Sequence, residues 1–92
     1  FTDAQKAGLA EIYKRLGRCL DQMVLVLKDE GRADDSQLLE RELNDCRDRL
    51  RYANVRAIDE HEYNYNSGTI YMDLVAECEK CGDYVINVVE AK

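Results

Sequence analysis

The chain is predicted to be all-α, an up-down-up antiparallel three-helix bundle, and three observations predict it. Apolar residues return at alternating steps of three and four in three separate segments, the period of a helix that buries one face. Proline is absent and only five of the 92 residues are glycine, so little interrupts a long helix. Polar punctuation around Gly31 and around residues 64–68 then cuts the chain into three runs of similar length. The expected helices span about 3–30, 35–61 and 68–90, a single domain, which is all that 92 residues allow.

The first helix opens on Thr2-Asp-Ala-Gln5, the form of a capping box in which Thr2 caps and Gln5 reaches back. Its seam is Leu9, Ile12, Leu16, Cys19, Met23 and Val26, and Gly31 is the expected left-handed stop. Asp34-Asp-Ser36 offers caps for the second helix, whose seam is Leu39, Leu43, Cys46, Leu50, Ala53 and Ala57. Its outer face pairs Asp45 with Arg49 and Asp48 with Arg51, solvated contacts that contribute roughly a few tenths of a kcal/mol each. Ser67 is the expected cap of the third helix, with Ile70, Leu74, Cys78, Cys81, Val85 and Val88 as its seam. A second row, Tyr71, Val75, Ile86 and Val89, makes this apolar face wider than two neighbours need. A face left over in that way marks an interface, and a two-fold homodimer is the expected way to cover it.

Hydrophobic residues make up 46% of the chain and charged residues 35%, the balance of a folded helical protein. The net charge of −6 argues against nucleic acid and anionic membrane surfaces, which need a basic footprint. The longest strongly apolar run is residues 23–27, far below the roughly 20 residues of a membrane span. No signal peptide is discernible, and the chain starts on Phe1 rather than Met, so a piece of a longer protein is expected.

Cys78 and Cys81 stand three apart on a helix, with Cys19 and Cys46 single on the other two seams. Zinc sites draw such pairs from turns, so four buried, reduced small hydrophobes are expected rather than a tetrathiolate centre. No strand precedes Cys78-Glu-Lys-Cys81, which removes the context of a thioredoxin-like redox pair. The carboxylates carry more. Glu79 and Asp83 stack at i,i+4, and Asn87 and Glu90 continue the strip beside the apolar face. Like charges at that spacing repel, and either solvent, a basic residue on a neighbouring helix or a hard cation has to offset them. Tyr63 and Tyr65 are expected to close one end of the bundle or to form a contact patch, and His61 has no assigned role. No phosphate loop, catalytic triad or activated nucleophile is discernible, so no enzymatic activity is expected.

The stretch Glu79-Lys-Cys-Gly-Asp-Tyr-Val-Ile-Asn87, within Asp73-Leu-Val-Ala-Glu-Cys and onward, resembles the last-helix signature of PhoU-like domains. There a Glu-Arg-Ile-Gly/Ala-Asp core leads into an Asn-Ile segment; here Lys80 and Cys81 replace Arg and Ile. Together with Glu62-Tyr-Asn-Tyr-Asn-Ser-Gly-Thr-Ile-Tyr-Met-Asp73, the match is closest to the variant attached to bacterial sodium/phosphate cotransporters. It is sharp over residues 62–91, looser over 36–58, and rests before that on helix length and order.

The resemblance implies a cytosolic regulatory or interaction domain at the inner face of the cell membrane. It would be joined there to a sodium-dependent phosphate symporter whose membrane segments lie outside this chain. In PhoU proteins a Glu/Asp-x-x-x-Asp motif binds surface metal clusters, which points to Glu79 and Asp83, with Asp73 as a further acidic position. A divalent or iron-type ion is the implied cofactor. A full PhoU has two three-helix repeats, so this single repeat would meet an upstream half-repeat of the parent or a second copy of itself. The alternatives are a stand-alone PhoU-type metal-binding regulator of phosphate signalling and a helical oligomerisation module without a ligand.

Overall fold

The computed structural model describes residues 1–61 and 64–92. Glu62 and Tyr63, with the expected place of Tyr63 at the bundle end, lie outside the described residues. Thr2 starts α1 (Asp3–Leu27) with the expected capping box: Gln5 N–H donates to Thr2 Oγ1 at 3.1 Å and Thr2 N–H to Gln5 Oε1 at 2.8 Å. The predicted seam of α1 is the one that packs. Ile12, Cys19 and Val26 are buried, and Leu9, Leu16 and Met23 are half-buried against them.

The end of α1 differs from expectation. Asp29, not Gly31, takes the left-handed conformation, with φ of 61°. Asp29 N–H bonds Val26 C=O at 3.0 Å and Glu30 N–H bonds Leu25 C=O at 2.8 Å, the paired bonds of a Schellman motif. Aspartate tolerates this region better than most residues. Gly31 is required for a different reason, because a Cβ there would stand 2.7 Å from Gln22 Nε2 and 2.8 Å from Leu25 Cβ. The helix has no basic residue in its last turn, and Lys92 supplies the missing cation from the end of the chain. Its ammonium donates to Leu27 C=O at 3.2 Å and pairs with Asp29.

Helix α2 (Ala33–Asp59) begins two residues before the expected start. Its N-cap is Arg32, which makes no side-chain cap bond. Asp34 and Asp35 act instead as first-turn acids facing the helix dipole, and Ser36 is buried inside the helix. Leu43, Cys46, Leu50 and Ala57 are buried as predicted, but Ala53 is exposed and Asn54 takes its place inside. Asn54 Nδ2 donates to Gly68 C=O at 3.3 Å across to the third helix. His61 follows α2 with φ of 59° and is its left-handed C-terminal residue.

Helix α3 (Tyr65–Ala91) is capped by Asn64, whose side chain accepts from Asn66 N–H at 2.8 Å; Ser67, the expected cap, is already inside the helix. Tyr65 is 72% exposed, so it does not close the bundle end. The buried line of α3 is also turned from the predicted one. Tyr71, Val75, Cys78, Val85 and Val89 point inward with Gly68 and Gly82, while Ile70, Cys81 and Val88 are exposed. The residues expected to form a spare outer row are therefore mostly core, with Ile86 half-buried beside them.

Glycine explains the turn. Gly68, Tyr71, Val75, Cys78, Gly82, Val85 and Val89 step by three and four without a break, and both glycines receive a side chain from α2. A Cβ on Gly68 would stand 2.6 Å from Ile58 Cδ1, and one on Gly82 would collide with Leu43 Cδ2.

All three helix pairs pack against one another, as the all-α three-helix class requires. Ser67 Oγ donates to Gln5 Oε1 at 3.4 Å and the Phe1 and Tyr71 rings meet edge-on at one end, while Lys92 reaches Leu27 at the other. Thus α1 and α3 run parallel, with α2 antiparallel to both. The result is a rod 49 Å long and 19 by 16 Å across. No helix among the described residues is long and apolar enough to cross a membrane.

Candidate functional site

Glu79 and Asp83 lie on α3 along its border with α2, where the close approach at Gly82 brings the two helices together. From α2, Arg47 crosses to this strip and places its guanidinium 2.8 Å from the Glu79 carboxylate. Both side chains are largely withdrawn from solvent, at 21% and 22% exposure. The same guanidinium holds Asp48 through its Nε at 3.0 Å and NH2 at 2.8 Å. Burial opposes the charge on Arg47, but the Asp48 hydrogen bonds and the charges of Asp48, Glu79 and Asp83 outweigh it and raise its pKa. The repulsion between Glu79 and Asp83 is thus offset by a basic residue of a neighbouring helix, one of the three means open to the strip.

Asp73 does not join them. It is exposed, and ten residues along the helix place it about 15 Å of axial rise from Asp83. Among the described residues, no group of three or more His, Cys, Asp or Glu side chains could hold a metal ion. Glu79, Asp83 and Asp73 of one chain therefore do not make a metal-ion cage. One carboxylate is engaged by Arg47, and another is out of reach. A chelator such as EDTA is expected to leave the helical signal and the melting temperature unchanged. A fall of several degrees, reversed by added metal, would show that an ion holds the fold.

The four cysteines are free, and three of them are core. Burial pushes the thiols of Cys19, Cys46 and Cys78 above their ordinary value, which keeps them protonated and inert. Cys81 corrects the expectation of four buried cysteines. It is exposed and lines an open groove of about 280 Å³ between α1 and α3, with Leu20, Met23, Tyr84, Val85 and Val88.

A second charged cluster, which spacing along one helix does not reveal, ties α1 to α2. Arg49 does not pair with Asp45, nor Asp48 with Arg51. Arg49 forks onto Glu11 instead, at 2.7 and 3.0 Å, and Arg15 reaches Glu11 at 3.5 Å and Glu42 at 3.7 Å. The Arg49 hydrogen bonds, working against burial and aided by the charges of Arg49 and Arg15, hold the Glu11 carboxyl below its ordinary value. A depressed carboxyl stabilises the fold fully above its unfolded pKa of about 4.3 and loses that contribution as pH falls through the lower folded value. With Glu11 about a third exposed, Glu11→Gln is expected to lower stability by about 0.5 kcal/mol near neutral pH. The difference should vanish at about pH 2, and urea titration at both values checks it.

The signal for Arg47 and Arg49 was present only as position. Both flank Cys46 and Leu50 on the α2 seam, where a long side chain can reach a neighbour, but the partner depends on how the helices are set against each other. Comparisons with protein-family models, with curated proteins and with solved structures find no match to this chain.

Proposed function

We propose that this chain is a helical regulatory and interaction domain of a sodium-dependent phosphate cotransporter, acting on transport from the cytosolic side through contacts rather than chemistry. The observation that carries the reading is the Glu79-Lys-Cys-Gly-Asp83 motif and the flanking segment that resembles the transporter-attached PhoU-like variant. The arrangement of this motif fits a contact role. Gly82 admits Leu43 and Glu79 is engaged by Arg47, so the motif serves first to seat α3 on α2. A packed helical domain of this kind can bias a membrane protein only through differential contacts with its states.

Sodium-driven phosphate uptake by the full-length parent protein tests the reading. Removing the segment that corresponds to residues 1–92 is expected to change the rate of uptake or its response to external phosphate while the transporter still reaches the membrane. Unchanged uptake and an unchanged phosphate response would defeat the proposal, as would a parent chain without several spans of about 20 apolar residues.

A further inference from the structure

The outer face shared by α1 and α3, on the side away from α2, is organised as an interface in its own right. Along α1, Tyr13, Gly17, Leu20, Val24 and Leu27 step by four, three, four and three. Along α3, Ile70, Glu77, Tyr84 and Ala91 recur every seven residues, with Val88 beside them. The α1 row has the spacing of a heptad seam additional to the one that builds the core, and the α3 row runs alongside it with Glu77 as its charged position. Tyr13, Leu20, Val24, Ile70, Tyr84 and Val88 are between 41% and 63% exposed. The face is also divided lengthwise. Its half nearer the C-terminal ends of the two helices is apolar, whereas the opposite half carries Lys6 on α1 and Asp73 and Glu77 on α3. Neither Lys6 nor Asp73 has an ion-pair partner within the described residues of its own chain.

We infer that this face binds a second copy of the chain in a two-fold dimer whose axis runs along the α1/α3 groove. Two parallel seams side by side call for two facing helices, and the α1–α3 pair of another copy supplies them in matching register. A two-fold along the groove sets each α1 against α3 of the other copy at the same height. Apolar half then meets apolar half, and Lys6 of one copy falls opposite Asp73 of the other. An antiparallel arrangement would press the charged half onto the apolar half and is disfavoured by desolvation. The size is sufficient. A face running most of the 49 Å length and 19 Å width of the rod offers on the order of 800 Å² per copy, the amount a stable pair buries. This inference does not depend on the transporter reading.

Sedimentation and light scattering of the 92-residue chain across micromolar concentrations test it, with a mass twice the 10.6 kDa of one chain expected. Val24→Glu, in the apolar half of the face, is expected to raise the dimer dissociation constant on the order of 30-fold with helical content unchanged. Leu38→Glu, at an exposed apolar position on α2, should leave the dimer intact and so serves as the control. Lys6→Glu and Asp73→Lys should each weaken the dimer about fivefold, and the double variant should restore it. A monomer at about 100 μM would overturn the inference. A dimer indifferent to Val24→Glu would overturn it too, and charge reversals that add without rescue would reject the stated orientation.

Discussion

Leu43→Ala is expected to destabilise the bundle by about 3 kcal/mol, within the range of about 2–5 for truncating a buried leucine. Leu43 is fully buried, belongs to the cluster joining all three helices, and inserts its Cδ2 where Gly82 leaves α3 without a side chain. The partner substitution carries the sharper test. In the natural background Gly82→Ala gains about 1 kcal/mol of helix propensity, but its Cβ collides with Leu43, which has no exposed space to move into. Overpacking of that kind costs about 1–3 kcal/mol, so the net effect is a loss of about 1. In the Leu43→Ala background the collision is gone and the propensity gain remains, so Gly82→Ala should then stabilise by about 1 kcal/mol. Urea denaturation of the four proteins gives the cycle. A Gly82→Ala effect of the same sign in both backgrounds would mean that Leu43 does not fill the space above Gly82.

Arg47→Ala is expected to lower stability by about 1–2 kcal/mol, more than an exposed ion pair would and less than a fully buried one. The change removes a 2.8 Å contact from a carboxylate that is only 22% exposed, and it leaves Glu79 beside Asp83 with nothing to offset their repulsion. Glu79→Gln in the Arg47→Ala background should therefore recover part of the loss, although the same change in the natural protein is destabilising. The cycle is expected to show a coupling of about 1 kcal/mol. Strict additivity would instead describe a strip whose charges act separately in solvent. If Arg47→Ala also created an affinity for manganese that Asp83→Asn abolished, the guanidinium would be standing where a cation can stand.

Much of the fold is legible in the sequence. The seam of α1, its capping box and the three-run division of the chain all follow from spacing and punctuation, and the helices are where they were expected to within a few residues. The i,i+4 pairing of Glu79 and Asp83 was legible for the same reason, being a property of one helix. Arg47 was not. Which arginine of α2 meets Glu79 depends on the height and rotation of α2 against α3, and no local pattern encodes that. Arg49 likewise chooses Glu11, 38 residues away, over the Asp45 that shares its helix.

By itself the sequence determined that the chain makes three long helices, where α1 begins, and that each helix has an apolar face, because these depend on periodicity, capping and the absence of proline. Only the tertiary structure decided which of two adjacent apolar rows of α3 is buried. Ile70 and Val88 are as hydrophobic as Val75 and Val89, yet the first two are exposed and the second two are core. A reading of hydrophobicity gives glycine no weight, while in the bundle Gly68 and Gly82 set the rotation by letting Ile58 and Leu43 approach the α3 backbone. The physical reason is that a glycine contributes space, and space stabilises a fold only when a neighbouring helix supplies the side chain that fills it.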